Sequence, residues 1–192
     1  MNDRDHSTPR RRRPDMPDRV HADSLVLVNT GHGKGKSTAA FGTAIRAIAR
    51  DWRVAVVQFI KSGDWRTGEE QILRRLGADW WALGDGFSWD SEDMDESQAR
   101  AVAAWEHTRS LLAAGEHHVV LLDEITYPMN WGWISTEEVV DAIQARVSTT
   151  TVICTGRQAP QPLIDIADTV TQMQEVKHAF RRGIRARRGI DY

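Results

Sequence analysis

Apolar and polar positions along this chain follow two rhythms. Short, nearly continuous apolar runs fall at residues 25–28, 54–60, 80–83, 119–122, 150–154 and, less strongly, 169–173. Runs of this length predict strands buried on both faces. Between them lie segments whose apolar residues recur at helical spacing, at 39–50, 93–114 and 135–146. Ser91 is placed to cap the second, with acidic residues in its first turn and Gly115 just past its end. Ser135 and Glu138 form a capping box at the head of the third. Alternation of strand and helix predicts an α/β fold, a mostly parallel sheet with helices on both faces.

The junction between the first strand and the first helix reads Thr30-Gly31-His32-Gly33-Lys34-Gly35-Lys36-Ser37-Thr38. Strand, glycine-rich turn and helix in that order make a triphosphate-binding loop, so the fold is expected to be P-loop NTPase-like (RecA-like). Glycines at 31, 33 and 35 let successive N–H groups point at an anion. Lys36 adds a positive charge, and Ser37 adds a hydroxyl suited to Mg²⁺. Three residues separate Gly31 from Gly35, where the common pattern has four, so the loop is a shortened one. Its nucleotide-binding candidates are Gly31, His32, Gly33, Lys34, Gly35, Lys36, Ser37 and Thr38.

Functional residues of a doubly wound sheet gather at the carboxyl ends of its strands. The fourth apolar run ends in Asp123-Glu124, which with Ser37 is expected to hold the Mg²⁺ or Mn²⁺ that accompanies ATP. The fifth ends in Thr155-Gly156-Arg157, and a guanidinium there can grip phosphate oxygens in fork geometry. Eight tryptophans are many for such a chain. Trp65, Trp89, Trp131 and Trp133 fall in loops expected at one end of the sheet, which suggests a broad, flat, largely apolar ligand beside the nucleotide. Trp52, Trp80, Trp81 and Trp105 are expected in the core. The basic stretch from Arg181 to Arg188 reads equally as a solvated helix face or a clamp for an acidic partner, and His178 alone reads as structural.

A length of 192 residues with 41% hydrophobic content suits one soluble domain. Residues 1–22, rich in arginine and proline, are expected to form a loosely attached basic arm, and 23–192 a single domain. A net charge of −2 gives no argument for a nucleic-acid partner. The lone Cys154 cannot form an internal disulfide, and no apolar segment resembles a signal peptide or membrane span, so a cytoplasmic location is expected. Cys154 lies in an apolar run and reads as a small core residue.

Several motifs together resemble the ATP:corrinoid adenosyltransferases of the cob(I)yrinic acid a,c-diamide type. They are Gly31-His32-Gly33-Lys34-Gly35-Lys36-Ser37-Thr38-Ala39-Ala40-Phe41-Gly42, Val57-Gln58-Phe59-Ile60-Lys61, Gly86-Phe87-Ser88-Trp89, Leu122-Asp123-Glu124, Thr155-Gly156-Arg157, Ala167-Asp168-Thr169-Val170 and Val176-Lys177-His178-Ala179-Phe180 through Gly189-Ile190-Asp191-Tyr192. The resemblance implies that ATP and a corrinoid are the substrates. It implies that Co(I) attacks the 5′ carbon of the ribose and that triphosphate leaves as one unit. By it, Lys36, Glu124 and Arg157 serve the transfer, while Phe87 and Trp89 crowd the lower face of the corrin so that cobalt sheds its axial ligand. A homodimer and a flavoprotein reductant are implied too. Two readings from other classes share the fold: a small-molecule kinase or nucleotide hydrolase, which would yield ADP or phosphate, and an ATP-responsive corrinoid carrier, which would form no cobalt–carbon bond.

Overall fold

The protein is seen in a computed structural model that describes residues 20–62, 67–84 and 94–191, with the side chains of 61, 62, 84 and 94 left aside. Six strands are present among them: β1 (Val26–Thr30), β2 (Val54–Ser62), β3 (Asp79–Gly84), β4 (Val119–Asp123), β5 (Thr151–Thr155) and β6 (Thr169–Gln172). They form one sheet in the order β3-β2-β4-β5-β1-β6, and every pairing is parallel. The helices are α1 (Lys36–Ile48), α2 (Gly68–Arg75), α3 (Met94–Ala114), α4 (Thr126–Asn130), α5 (Thr136–Gln144) and α6 (Gln161–Asp165), followed by a 3₁₀ turn at Ala179–Arg182.

Side chains alternate across the strands and fill two cores. Val26, Val28, Val57, Val120, Leu122, Val152 and Cys154 face α3, α5 and α6, where Trp105, Leu112, Val139, Ile143 and Leu163 meet them. Val54, Val56, Val119, Leu121 and Ile153 face α1 and α2, against Phe41, Ala44 and Leu73. Burying each such Val, Leu or Ile contributes about 1.5–3 kcal/mol before entropy, so tertiary packing rather than helix propensity holds the helices in place. Ala40, Ala44 and Ala47 share one face of α1 and are buried. Their small size lets α1 lie close to the sheet, which fixes where its first turn presents the glycine-rich loop.

Each predicted strand is found within one or two residues. The first helix begins earlier than its apolar spacing suggests, at Lys36 rather than 39. Gly35 takes a left-handed conformation with φ 109° and caps it, and the Ala39 N–H already bonds to the Gly35 carbonyl at 2.8 Å. Lys36, Ser37 and Thr38 therefore ride on the first helical turn. Helices α4 and α6, of five residues each, are too short to show periodicity, and α2, of eight, is an addition to the expected helices. Half of the predicted capping box is present: Ser135 Oγ accepts from the Glu138 N–H at 3.3 Å, while its hydroxyl donates to the Glu137 carboxylate at 2.9 Å; Gly115 ends α3 with φ 62° as expected. Trp80 and Trp105 are buried as expected, and Trp81 is partly so. Trp52 is a correction: it lies in the turn after α1, 45% exposed, and stacks on His118 at 5.7 Å. Cys154 is wholly buried, and burial pushes its thiol up to about 12, in keeping with a purely structural role. Most of the predicted arm, the cap Ser91, and Trp65, Phe87 and Trp89 lie outside the described residues.

At the amino ends of the strands, His117 Nε2 pairs with Asp79 Oδ2 at 2.8 Å, and the ring of Trp81 packs against His107 at 4.5 Å. Burial, reinforced by neighbouring His117, holds the His107 imidazole below its usual range. Its folded-state pKa is therefore depressed, and the unfolded chain binds its proton more readily. The stability that neutral His107 contributes should be present above about pH 6.5 and fall away as the pH drops below that value. Urea midpoints measured across this window should decline toward acid in the parent and decline less in His107→Phe. Parallel curves would exclude His107 as a cause.

Candidate active site

The site is built where β1, β4 and β5 end. Gly31 leaves β1 with φ 94°, and a side chain there would meet the Met173 carbonyl at 2.4 Å. The loop is seated against the segment after β6: the Gly33 N–H bonds to the Met173 carbonyl at 2.8 Å, and the Met173 N–H to the Thr30 carbonyl at 2.7 Å. Asn29 Nδ2 reaches over the loop to the Lys36 carbonyl at 3.2 Å. Lys36 Nζ donates to the Gly33 carbonyl at 2.7 Å, so the ammonium rests inside the curl of its own loop. Burial holds its pKa below the usual lysine range; Arg157 nearby pushes the same way, and Glu124 opposes both. The charges of Glu124 and Arg157 thus both act on Lys36.

The two carboxylates at the end of β4 have different surroundings. Asp123 is 1% exposed, with Oδ2 accepting from Gln58 Nε2 at 2.9 Å and Oδ1 accepting from the Thr155 hydroxyl at 2.8 Å. That hydroxyl in turn accepts from the Glu124 N–H at 2.9 Å. Glu124 takes φ 66°, a left-handed conformation rare outside glycine, which turns the chain sharply from β4 into α4. Asp123 is a buried anchor, whereas Glu124 is only partly buried. Tyr127, one turn on, feels the same charges. Burial raises its phenol pKa; Glu124 and Asp123 add to the effect and Arg157 opposes it.

Arg157 is exposed at the end of β5. Its backbone is bracketed by both neighbouring elements. The Gly156 N–H bonds to the Asn29 carbonyl at 3.2 Å, and the Ala159 N–H to Thr30 Oγ1 at 3.0 Å. Beside Glu124 runs an aromatic row: the rings of Tyr127 and Trp131 lie 5.6 Å apart, and those of Trp131 and Trp133 lie 4.6 Å apart. Of the four loop tryptophans expected at this end, these two are described and are together.

The basic tail folds back on the loop. Asp191 pairs with Lys34 and accepts from the Arg187 N–H at 2.8 Å. The Lys34 bond first, and the Arg187 N–H with it, hold the Asp191 carboxyl below its usual range. His178 is structural as expected, with its Nδ1 accepting from the Phe180 N–H at 3.1 Å to cap the 3₁₀ turn.

A family model described as ATP:corrinoid adenosyltransferase BtuR/CobO/CobP matches residues 22–192. The chain belongs to the ATP:corrinoid adenosyltransferase family. The corrinoid adenosyltransferase CobA of Salmonella typhimurium is 43% identical over 168 residues, which cover 88% of this chain and 85% of that protein. The corrinoid adenosyltransferase of Escherichia coli strain K12 matches to the same extent. That of Pseudomonas aeruginosa is 42% identical over 170 residues, 88% of this chain and 83% of that protein.

For an adenosyltransferase, the positions of the expected residues fall into two groups. Lys36, Ser37, Glu124 and Arg157 come to one end of one sheet, with Asp123 behind Glu124 and Lys34 turned toward Asp191. His32, on the loop, and Thr38, on the first turn of α1, are exposed. Gln58, Thr155 and Asp191 stand in the motifs quoted above but, like Thr126 and Tyr127, have no role of their own in the sequence reading. Gln58 carried the clearest signal, an amide side chain inside an apolar strand. A buried polar group of that kind needs a partner, and here the partner is Asp123.

Proposed function

We propose that this adenosyltransferase moves the 5′-deoxyadenosyl group of ATP to Co(I) of a corrinoid, cob(I)yrinic acid a,c-diamide or cob(I)alamin, with inorganic triphosphate as the other product. The cobalt(I) electron pair forms the bond to C5′, and the C5′–O bond breaks with its pair leaving on triphosphate. The nucleophile belongs to the corrinoid, so the protein need supply only positioning and charge. The observation that carries this reading is the convergence of Lys36, on the first turn of α1, with Glu124 and Arg157, at the ends of β4 and β5, where both act on the Lys36 charge.

The loop amides other than that of Gly33, which bonds to Met173, hold the triphosphate together with Lys34, Lys36 and Arg157, and charge grows on it as the bond breaks. Cations and N–H donors fixed beforehand stabilise that charge without reorganising. Ser37 and Glu124 are oxygen donors that fit a hard divalent cation, Mg²⁺ or Mn²⁺, with Asp123 held behind them by Gln58 and Thr155. Among the described residues no group of three or more His, Cys, Asp or Glu could hold a metal alone. When bound, the cation supplies further neutralisation of the leaving group. Tyr127, Trp131 and Trp133 offer the flat corrin an aromatic flank, and Phe87 and Trp89 tune its cobalt by the family resemblance.

The same reading places the enzyme in adenosylcobalamin biosynthesis or salvage, in the cytoplasm, as a homodimer served by a flavoprotein reductant. No described helix is long and apolar enough to cross a membrane. Exposed Val176, Phe180 and Ile190 give the tail an apolar surface that a second copy would cover, and light scattering should return twice the chain mass.

The test mixes protein, ATP, Mg²⁺ and chemically reduced cobalamin without oxygen and follows the visible spectrum. A light-sensitive alkyl-cobalt product is expected. A parallel arm supplies Co(II) with a weak reductant, where Phe87→Ala/Trp89→Ala should lose far more activity than with pre-reduced Co(I). Equal losses would remove the two aromatics from cobalt tuning, and no alkyl-cobalt product in either arm would refute the activity.

A further inference from the structure

Arg157 sits on a turn whose shape its own sequence does not favour. Gly156 has φ 142° and Gln158 has φ 52°, so two of three consecutive residues occupy left-handed backbone space, one of them not glycine. A turn of this kind persists only where its surroundings over-determine it. The surroundings here come from α4. Thr126 Oγ1 donates to the Arg157 carbonyl at 2.7 Å. Asn130 Nδ2 donates to the same carbonyl at 3.2 Å and to the Gln158 carbonyl at 3.1 Å. A side chain on Gly156 would meet Thr126 Oγ1 at 2.0 Å, so the glycine is what lets the hydroxyl come this close.

Thr126 is wholly buried and stands two residues after Glu124, whereas Asn130 is exposed on the next turn of the same helix. Both side chains spend their donors on a backbone that carries the one guanidinium assigned to the triphosphate. Asn130 is exposed and closes no core, and a valine in place of Thr126 would keep the side-chain volume while losing the hydroxyl.

We propose that Thr126 and Asn130 are positioning residues. Through three hydrogen bonds to the backbone of 157–158 they fix the direction in which Arg157 meets the triphosphate, and through α4 they tie that direction to Glu124. The proposal rests on the reading of Arg157 as a phosphate ligand. Thr126 and Asn130 touch neither substrate, and all of their effect passes through Arg157.

Passage through one residue is a statement about coupling, and a double-mutant cycle measures it. The probe is inorganic triphosphate with Mg²⁺, titrated calorimetrically into the full chain. Asn130→Ala, an exposed change that leaves the core alone, should weaken binding about fivefold, as the loss of two hydrogen bonds allows. Thr126→Val should weaken it similarly, and Thr126→Ser, which keeps the donor, should restore it. In an Arg157→Ala background, Asn130→Ala should change nothing further. Asn130→Ala weakening triphosphate equally in both backgrounds, or in neither, would overturn the positioning role while leaving Arg157 as a ligand. Arg157→Ala binding triphosphate as the parent does would instead defeat the assignment of Arg157, and this proposal with it.

Discussion

Lys36→Ala is expected to lower adenosyl transfer about 10²–10³-fold, the size of effect seen when one preorganised charge-stabilising group is removed from a transition state. Lys36 lies on the first turn of α1, half-buried, with its ammonium on the Gly33 carbonyl. It is therefore inside the curl of amides where the departing triphosphate is to be held. Its pKa is already depressed by burial, so the site holds this cation against a desolvation cost, and a bound polyanion offsets that cost. The side chain packs into neither core, and the far-ultraviolet spectrum and melting temperature should stay near those of the parent. Anaerobic kcat/KM for ATP reads the effect. A loss smaller than tenfold would show that the loop amides and Arg157 suffice without it.

Gly31→Ala should unseat the loop, and Gly42→Ala should do the reverse. At Gly31 a Cβ would sit 2.4 Å from the Met173 carbonyl oxygen and 2.9 Å from its nitrogen, both backbone atoms, on a residue with φ 94°. Neither neighbour can swing aside, because the segment bonds to Thr30 and Gly33 on either side. Strain plus overpacking of this kind costs about 2–4 kcal/mol, or roughly 4–16 °C in melting temperature for a chain of this size. Because the strained atoms belong to the phosphate loop, ATP binding should be lost with the stability. Gly42 lies within α1, where an added methyl would have nothing inside 4 Å and the φ is ordinary. Alanine there should stabilise by about 0.5–1 kcal/mol through helix propensity alone. Thermal melts of both variants, with and without ATP and Mg²⁺, check the pair. Equal shifts would mean that close approach to Met173 does not constrain Gly31.

How far the sequence foretells this structure depends on the range of each interaction. The strands are legible because each is a run of apolar residues with two buried faces, and the strand–loop–helix order around Gly31 to Ser37 gives the phosphate loop its place. Asp123, Glu124 and Arg157 can be set at one end of the sheet because parallel strands all end on the same side. The division of labour between the two carboxylates cannot be foreseen. It depends on Gln58 and Thr155 reaching Asp123 from neighbouring strands, contacts that no local pattern encodes. The pairing of Lys34 with Asp191 spans 157 positions and leaves no trace in periodicity. Short helices fail for a different reason: five residues at Thr126–Asn130 are barely more than one turn, too few to display a face. Helix α2 does carry a usable sign in the sequence, Thr67 followed by Glu70, and Thr67 caps it, accepting from the Glu70 N–H at 3.3 Å. Trp52 departs from the core expected for it because a tryptophan flanked by Asp51 and Arg53 has polar neighbours, and it lies in a turn at the surface.

The central claim is that the site grips all three phosphates and lets them go together. Phosphorus NMR of the anaerobic reaction, run to partial conversion, tests it directly. One inorganic triphosphate for each adenosyl corrinoid, with no ADP, is the expected spectrum; ADP with phosphate, or AMP with pyrophosphate, in step with turnover would contradict it.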